Sequence, residues 1–167
     1  IDVSGMSDEQ RDGLLRHIPE ADLRAFVSAF YVLEFSLRLS LMTERLDLRM
    51  PVGGTFADGV GVVDALRDYQ AAVMREQTLD PMTMEMVRLR CARVHNCRIC
   101  KTLRLDRAYS VGVDESMTAK VDFYEQSDLS PRIKRALRIT DAFITRPDTL
   151  ADATAQEAID NLGADQR

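Results

Sequence analysis

At 167 residues the chain suits one domain with room for a buried core, and 46% hydrophobic with 29% charged residues is the ordinary balance of a globular protein. No apolar run approaches the roughly 18 residues that a membrane span needs, the opening Ile1-Asp2-Val3-Ser4 lacks the features of a secretion signal, and three cysteines do not make the even-numbered framework of a disulfide-stapled domain. The expectation is a cytoplasmic protein without membrane attachment, whose thiols are reduced and whose disulfides, where they form, are transient and functional.

The elements read as helices nearly throughout. Ser7, followed by Asp8 and Glu9, predicts an N-cap and first turn of a helix that ends before Pro19. A longer helix is predicted over 20–45, where Leu23, Phe26, Val27, Phe30, Leu33, Leu37 and Leu41 recur at three- and four-residue steps. Met50-Pro51-Val52-Gly53-Gly54 predicts a loop, and 60–77 resumes helical spacing, with 55–63 the one ambiguous stretch. Asp80-Pro81 predicts an N-cap with Pro at the first helical position, opening a helix with Met84, Val87, Cys91 and Val94 on one stripe. Asn96 is expected to cap the next helix, with Cys97 in its first turn and Gly112 stopping it. Asp114 predicts a short helix to about 125. Ser130-Pro131 predicts another that buries Ile133, Leu137, Thr140 and Ile144 before Arg146-Pro147, and a last helix runs over 153–162 to Gly163. The fold class is all-α, in one domain over 1–167, with N-terminal helices to about residue 50 and a core over 60–150.

The net charge of −5 is unevenly spread. From Arg88 to Arg107 there are seven basic residues (Arg88, Arg90, Arg93, Arg98, Lys101, Arg104, Arg107) against Asp106 alone, which makes that segment +6 and leaves −11 on the rest. The run is short, has no aromatic residue inside it and sits in an acidic chain, so it predicts salt bridges to neighbouring acids rather than a nucleic-acid surface. It also surrounds Cys97-Arg98-Ile99-Cys100. Two thiols one helical turn apart can close a disulfide, and a helix start with nearby cations favours the thiolate. A thioredoxin-like context is excluded because no strand precedes Cys97. Cys91, on the apolar stripe, reads as a core thiol. Cys91, His95, Cys97 and Cys100 together would suit zinc chemically, but their spacing matches no common structural zinc pattern. No metal or cofactor is expected.

Glu85 precedes Cys97 by eleven intervening residues and lies on the helix just upstream. This Glu-x11-Cys-x-x-Cys arrangement, with Met84-Glu85-Met86-Val87-Arg88-Leu89 around it, Ala108 to Gly112 downstream and the Ser130 to Ile144 helix, resembles the alkylhydroperoxidase D and carboxymuconolactone decarboxylase superfamily from about Val60 to Leu150. The resemblance implies an alkylhydroperoxidase D-like helical bundle that assembles as a trimer or hexamer. For the peroxidase branch it implies that Cys100 attacks a hydroperoxide, Cys97 closes the disulfide, Glu85 belongs to a proton relay, and a thiol or lipoyl-bearing donor returns the electrons.

Two departures bear on the chemistry. The relay His expected four residues after the second cysteine is Arg104, and the residue that is His in some peroxidases is Ile99. An arginine holds a thiolate by charge but does not take and return a proton, which leaves His95 as the nearby substitute. Family members also carry a further helix beyond the region matching Leu150 to Leu162, whereas this sequence ends at Arg167. Alternative readings are a decarboxylase-like enzyme that binds a small carboxylated substrate through arginine forks, and a non-catalytic oligomeric member.

Overall fold

The structure, a computed structural model, describes residues 5–49 and 61–161. Among them every regular element is helical. The predicted loop at Met50–Gly54, most of the ambiguous 55–63 stretch and the stop at Gly163 lie outside the described residues.

Three expected starts form as the sequence implies. Ser7 and Gln10 make a reciprocal capping box on α1 (Asp8–Leu15). Asp80 caps α4 (Pro81–Val94) by accepting from the Thr83 N–H at 2.9 Å. Ser130 caps α8 (Pro131–Ile144) in the same way. Between these lie α2 (Glu20–Arg45), α3 (Val62–Arg75), α5 (Arg98–Thr102), α6 (Asp106–Tyr109) and α7 (Glu115–Ala119), which runs on into a 3-10 turn over Lys120–Gln126. A second such turn, Pro147–Thr149, leads to α9 (Asp152–Asn161).

The core is organised by α4 against α8. Met86 and Leu89 meet Ile133 and Leu137, and Val121, Tyr124 and Leu129 close the layer. The buried face of α4 is Thr83, Glu85, Met86, Leu89 and Ala92, not the predicted stripe of Met84, Val87, Cys91 and Val94, whose members are only half-buried. Methionines on both sides of α4 make its two faces nearly equal in hydropathy, so periodicity alone chooses wrongly between them. On α8 the predicted inward residues Ile133, Leu137, Thr140 and Ile144 are all buried.

A second cluster joins Met42 and Leu46, at the end of α2, to Ala142, Leu150, Ala155 and Ala158. Arg38 fastens α2 here: its Nη1 donates to the carbonyls of Phe143, Ile144 and Thr145 at 3.0, 2.8 and 2.9 Å. These lie at the C-terminal end of α8, where carbonyls lack helical donors and the dipole favours a cation. Arg45 similarly reaches the Leu150 carbonyl and Asp152.

One expectation is corrected. Helix α2 is, by length and composition, long and apolar enough to cross a membrane, so an apolar run of that size does exist. Glu34 and Arg38 interrupt that stretch, so the sequence shows no unbroken apolar run, but the two neutralise each other across one helical turn at 2.6 Å.

Candidate redox site

The two cysteines are positioned by the end of α4. His95 is its C-cap and Asn96 follows with φ +50°, a left-handed conformation that asparagine tolerates better than most residues. The Asn96 N–H donates to the Arg93 carbonyl at 3.1 Å and the Cys97 N–H to the Ala92 carbonyl at 2.9 Å, the paired bonds of a Schellman motif. Asn96 is therefore the stop of α4 rather than the cap of the next helix. Cys97 is itself the N-cap of α5, its sulfur accepting from the Cys100 N–H at 3.3 Å.

Cys97 and Cys100 are joined as a disulfide, with Cα atoms 5.3 Å apart. Both are half-buried, while Ile99 between them is 73% exposed. Helix α5 has only five residues and does not run to Gly112 as expected, so its dipole adds little to thiolate stabilisation. It ends early because two arginines take its last carbonyls. Arg88 Nη1 donates to Cys100 O at 2.7 Å and Nη2 to Leu103 O at 2.6 Å. Arg104 Nη1 donates to Lys101 O at 2.6 Å and Leu103 O at 2.9 Å.

Glu85 is 0% exposed. Both its oxygens accept from Arg88, Nε at 2.7 Å and Nη2 at 2.8 Å, the bidentate fork–carboxylate geometry. Glu85 is thus linked to the cysteine loop through Arg88. Arg88 appears in the sequence only as part of the basic run, although the Glu-x-x-Arg spacing on one helix face signals the pair.

Arg104, expected to hold a thiolate, is turned instead to Glu115, Nε to Oε1 at 2.9 Å and Nη2 to Oε2 at 3.0 Å, and to the Tyr109 hydroxyl at 3.0 Å. Tyr109 donates in turn to Glu115 at 2.6 Å. The hydrogen bond from Arg104, then that from Tyr109, holds the Glu115 carboxyl at about 2, below its ordinary 4.5. Because the folded value is the lower one, this pairing favours the fold above pH 4.5 and is lost as the pH falls from there towards 2. The Glu115 carboxyl carbon, followed by NMR, is expected to titrate with a midpoint near 2; a midpoint near 4.5 would show that the cluster does not persist in solution.

The predicted salt bridges account for much of the basic run. Arg90 pairs with Asp141, Arg93 with Asp122, and Arg107 donates to the Glu76 carbonyl. Lys101 donates to the Asn96 side chain at 2.6 Å. Cys91 is a free thiol whose pKa burial pushes up. Among the described residues no three His, Cys, Asp or Glu side chains form a group that could hold a metal.

The chain has mycobacterial relatives. It is 35% identical, over an alignment of 175 positions that takes in 99% of it, to uncharacterised proteins of Mycobacterium tuberculosis strains CDC 1551 / Oshkosh and ATCC 25618 / H37Rv. The chain spans 61% of the length of these curated relatives. No family model matches the chain, and no solved structure matches it.

Proposed function

We propose that this chain is a dithiol–disulfide redox protein of alkylhydroperoxidase D-like type, cycling between the Cys97–Cys100 disulfide and two thiols. The observation that carries the reading is the disulfide itself, seated at the α4–α5 turn beside an exposed Ile99, where an incoming sulfur or oxygen has access. With a hydroperoxide, the Cys100 thiolate takes the terminal oxygen and an alcohol leaves with one proton. Cys97 then condenses with the resulting sulfenic acid, releasing water and closing the disulfide. A donor dithiol, of small-thiol or lipoyl type, restores two thiols by exchange through a mixed disulfide and is itself oxidised.

The arrangement favours exchange over fast peroxide turnover. Glu85 has both oxygens on Arg88, and Arg104 faces Glu115, so neither stands ready to pass a proton to sulfur. The decarboxylase alternative loses ground because Arg88, Arg90, Arg93 and Arg104 each already have a protein carboxylate.

Counting thiols by alkylation and mass after unfolding tests the cycle. The oxidised chain is expected to show one thiol, Cys91; the reduced chain three; and the reduced chain after a mild hydroperoxide or an oxidised dithiol, one again. If neither oxidant lowers the count, or if Cys100→Ser cycles like the parent, the proposal fails.

A further inference from the structure

The basic run around the cysteines is only partly neutralised. Arg88, Arg90, Arg93 and Arg104 are held by Glu85, Asp141, Asp122 and Glu115, and Arg107 donates to the Glu76 carbonyl. Arg98 and Lys101 are left over. Arg98 is exposed and pairs with no carboxylate among the described residues, while Lys101 Nζ donates to the neutral Asn96 side chain at 2.6 Å. One follows Cys97 directly and the other follows Cys100, so each half-buried sulfur has a cation on the next residue. Asp106, the one acid within the run, opens α6 and pairs with neither cation.

We propose that Arg98 and Lys101 make the site selective for small disulfides that carry carboxylates close to sulfur. The inference rests on the dithiol–disulfide reading above and adds what decides among substrates. The Cys100 thiolate attacks one sulfur of the small disulfide, whose S–S bond breaks, and one thiolate leaves and takes a proton from water. Cys97 then gives up its proton and attacks the Cys100 sulfur of the mixed disulfide. The second small thiolate leaves with that proton. The protein dithiol is thereby oxidised, and the small disulfide is reduced to two thiols. A carboxylated substrate brings negative charge up to a thiolate, and in the absence of counter-charge the two repel. A guanidinium and an ammonium beside the sulfurs turn that repulsion into attraction, and the fork of Arg98 suits a carboxylate.

The attraction is local. The whole chain carries −5 and repels anions at long range, so the selectivity lies in α5 and not in the overall field. Two cations three residues apart match one or two carboxylates rather than an extended polyanion. Ile99 between them, 73% exposed, leaves the approach open. At a separation of about 6 Å in water each cation–carboxylate pair changes a rate about 3-fold, and two pairs change it about 10-fold. Salt removes most of this as the screening length falls from about 30 Å at about 0.01 M to about 3 Å at about 1 M.

Stopped-flow loss of thiols from the reduced chain decides, with bis(2-carboxyethyl), bis(2-hydroxyethyl) and bis(2-aminoethyl) disulfide as oxidants of like size. The readout is the rate with the carboxylated compound divided by the rate with the neutral one, which cancels any change in the reactivity of the thiols themselves. At about 0.01 M salt, Arg98→Gln is expected to lower that ratio about 3-fold, and Arg98→Gln with Lys101→Gln about 10-fold. The corresponding ratio for the amino compound is expected to rise in the same variants. At about 1 M salt parent and variants are expected to converge. Circular dichroism is expected to stay that of the parent, since Arg98 is exposed. Arg24→Gln removes an equal charge from a 77% exposed side chain on α2 and is expected to leave the ratio as it was. A ratio that neither variant changes, or that Arg24→Gln lowers equally, overturns the inference while the dithiol reading stands. If the neutral disulfide consumes no thiols, the dithiol reading itself fails and takes this inference with it.

Discussion

Arg88→Met is expected to destabilise the chain by about 3–5 kcal/mol, the usual consequence of leaving a buried charge without its partner. Glu85 is fully buried and Arg88 is 16% exposed, so water does not replace the lost guanidinium. For a domain of this size such a loss corresponds to roughly 6–20 °C in Tm, a large part of a typical total stability of about 5–15 kcal/mol. Arg88→Lys keeps the charge but not the fork that spans Glu85, Cys100 O and Leu103 O, and an intermediate loss of about 1–2 kcal/mol is expected. Glu85→Leu combined with Arg88→Met removes both charges and is expected to recover most of the stability. It does not restore the donors on the cysteine loop, so its disulfide is expected to be reduced faster by dithiothreitol than the parent's. Chemical denaturation of these proteins and of Glu85→Leu alone, with timed reduction of the parent and the double variant, checks this. Additive losses in the double variant would show that Glu85 and Arg88 do not act as a pair.

Asp141→Ala is the second large effect, expected at about 2–3 kcal/mol. Asp141 accepts from Arg90 at 2.6 and 3.0 Å and from the buried Tyr124 hydroxyl at 2.9 Å, while the Arg90 guanidinium lies 5.5 Å from the Tyr124 ring centre. One carboxylate thus ties α4, the 3-10 turn and α8 together, and its removal leaves a half-buried cation and a phenol without their acceptor. Asp141→Asn keeps the shape and an acceptor and is expected to cost less. Burial first, then the hydrogen bond to Asp141, push the Tyr124 phenol well above its ordinary value. Ultraviolet titration is therefore expected to show Tyr124 ionising at lower pH in Asp141→Ala than in the parent. No difference between the two curves would mean that the hydroxyl has another partner.

Much of the scaffold is legible locally. Ser7, Asp80 and Ser130 announce helix starts because a short polar side chain satisfies free N–H groups within its own turn, which requires nothing distant. The inward face of α8 is equally clear, since only one of its sides is apolar. The α5–α6 break is not legible, because α5 is ended by Arg88, fifteen residues away from Leu103, and by Arg104 folding back on its own turn. Periodicity records which residues are apolar, not which carbonyls a distant guanidinium will reach.

The sequence by itself determined the helical class, the main caps, the pairing of the basic run with acids and the placing of two cysteines one turn apart, since each follows from nearest-neighbour chemistry or from charge. Only the tertiary structure decided that Glu85 is locked by Arg88, that Arg104 faces Glu115, and that Phe26, Leu33 and Leu37 of α2 are left exposed. Those outcomes depend on which surfaces meet when α4, α8 and α2 come together, and a side chain with several donors chooses its partners only after the backbone has brought them within reach.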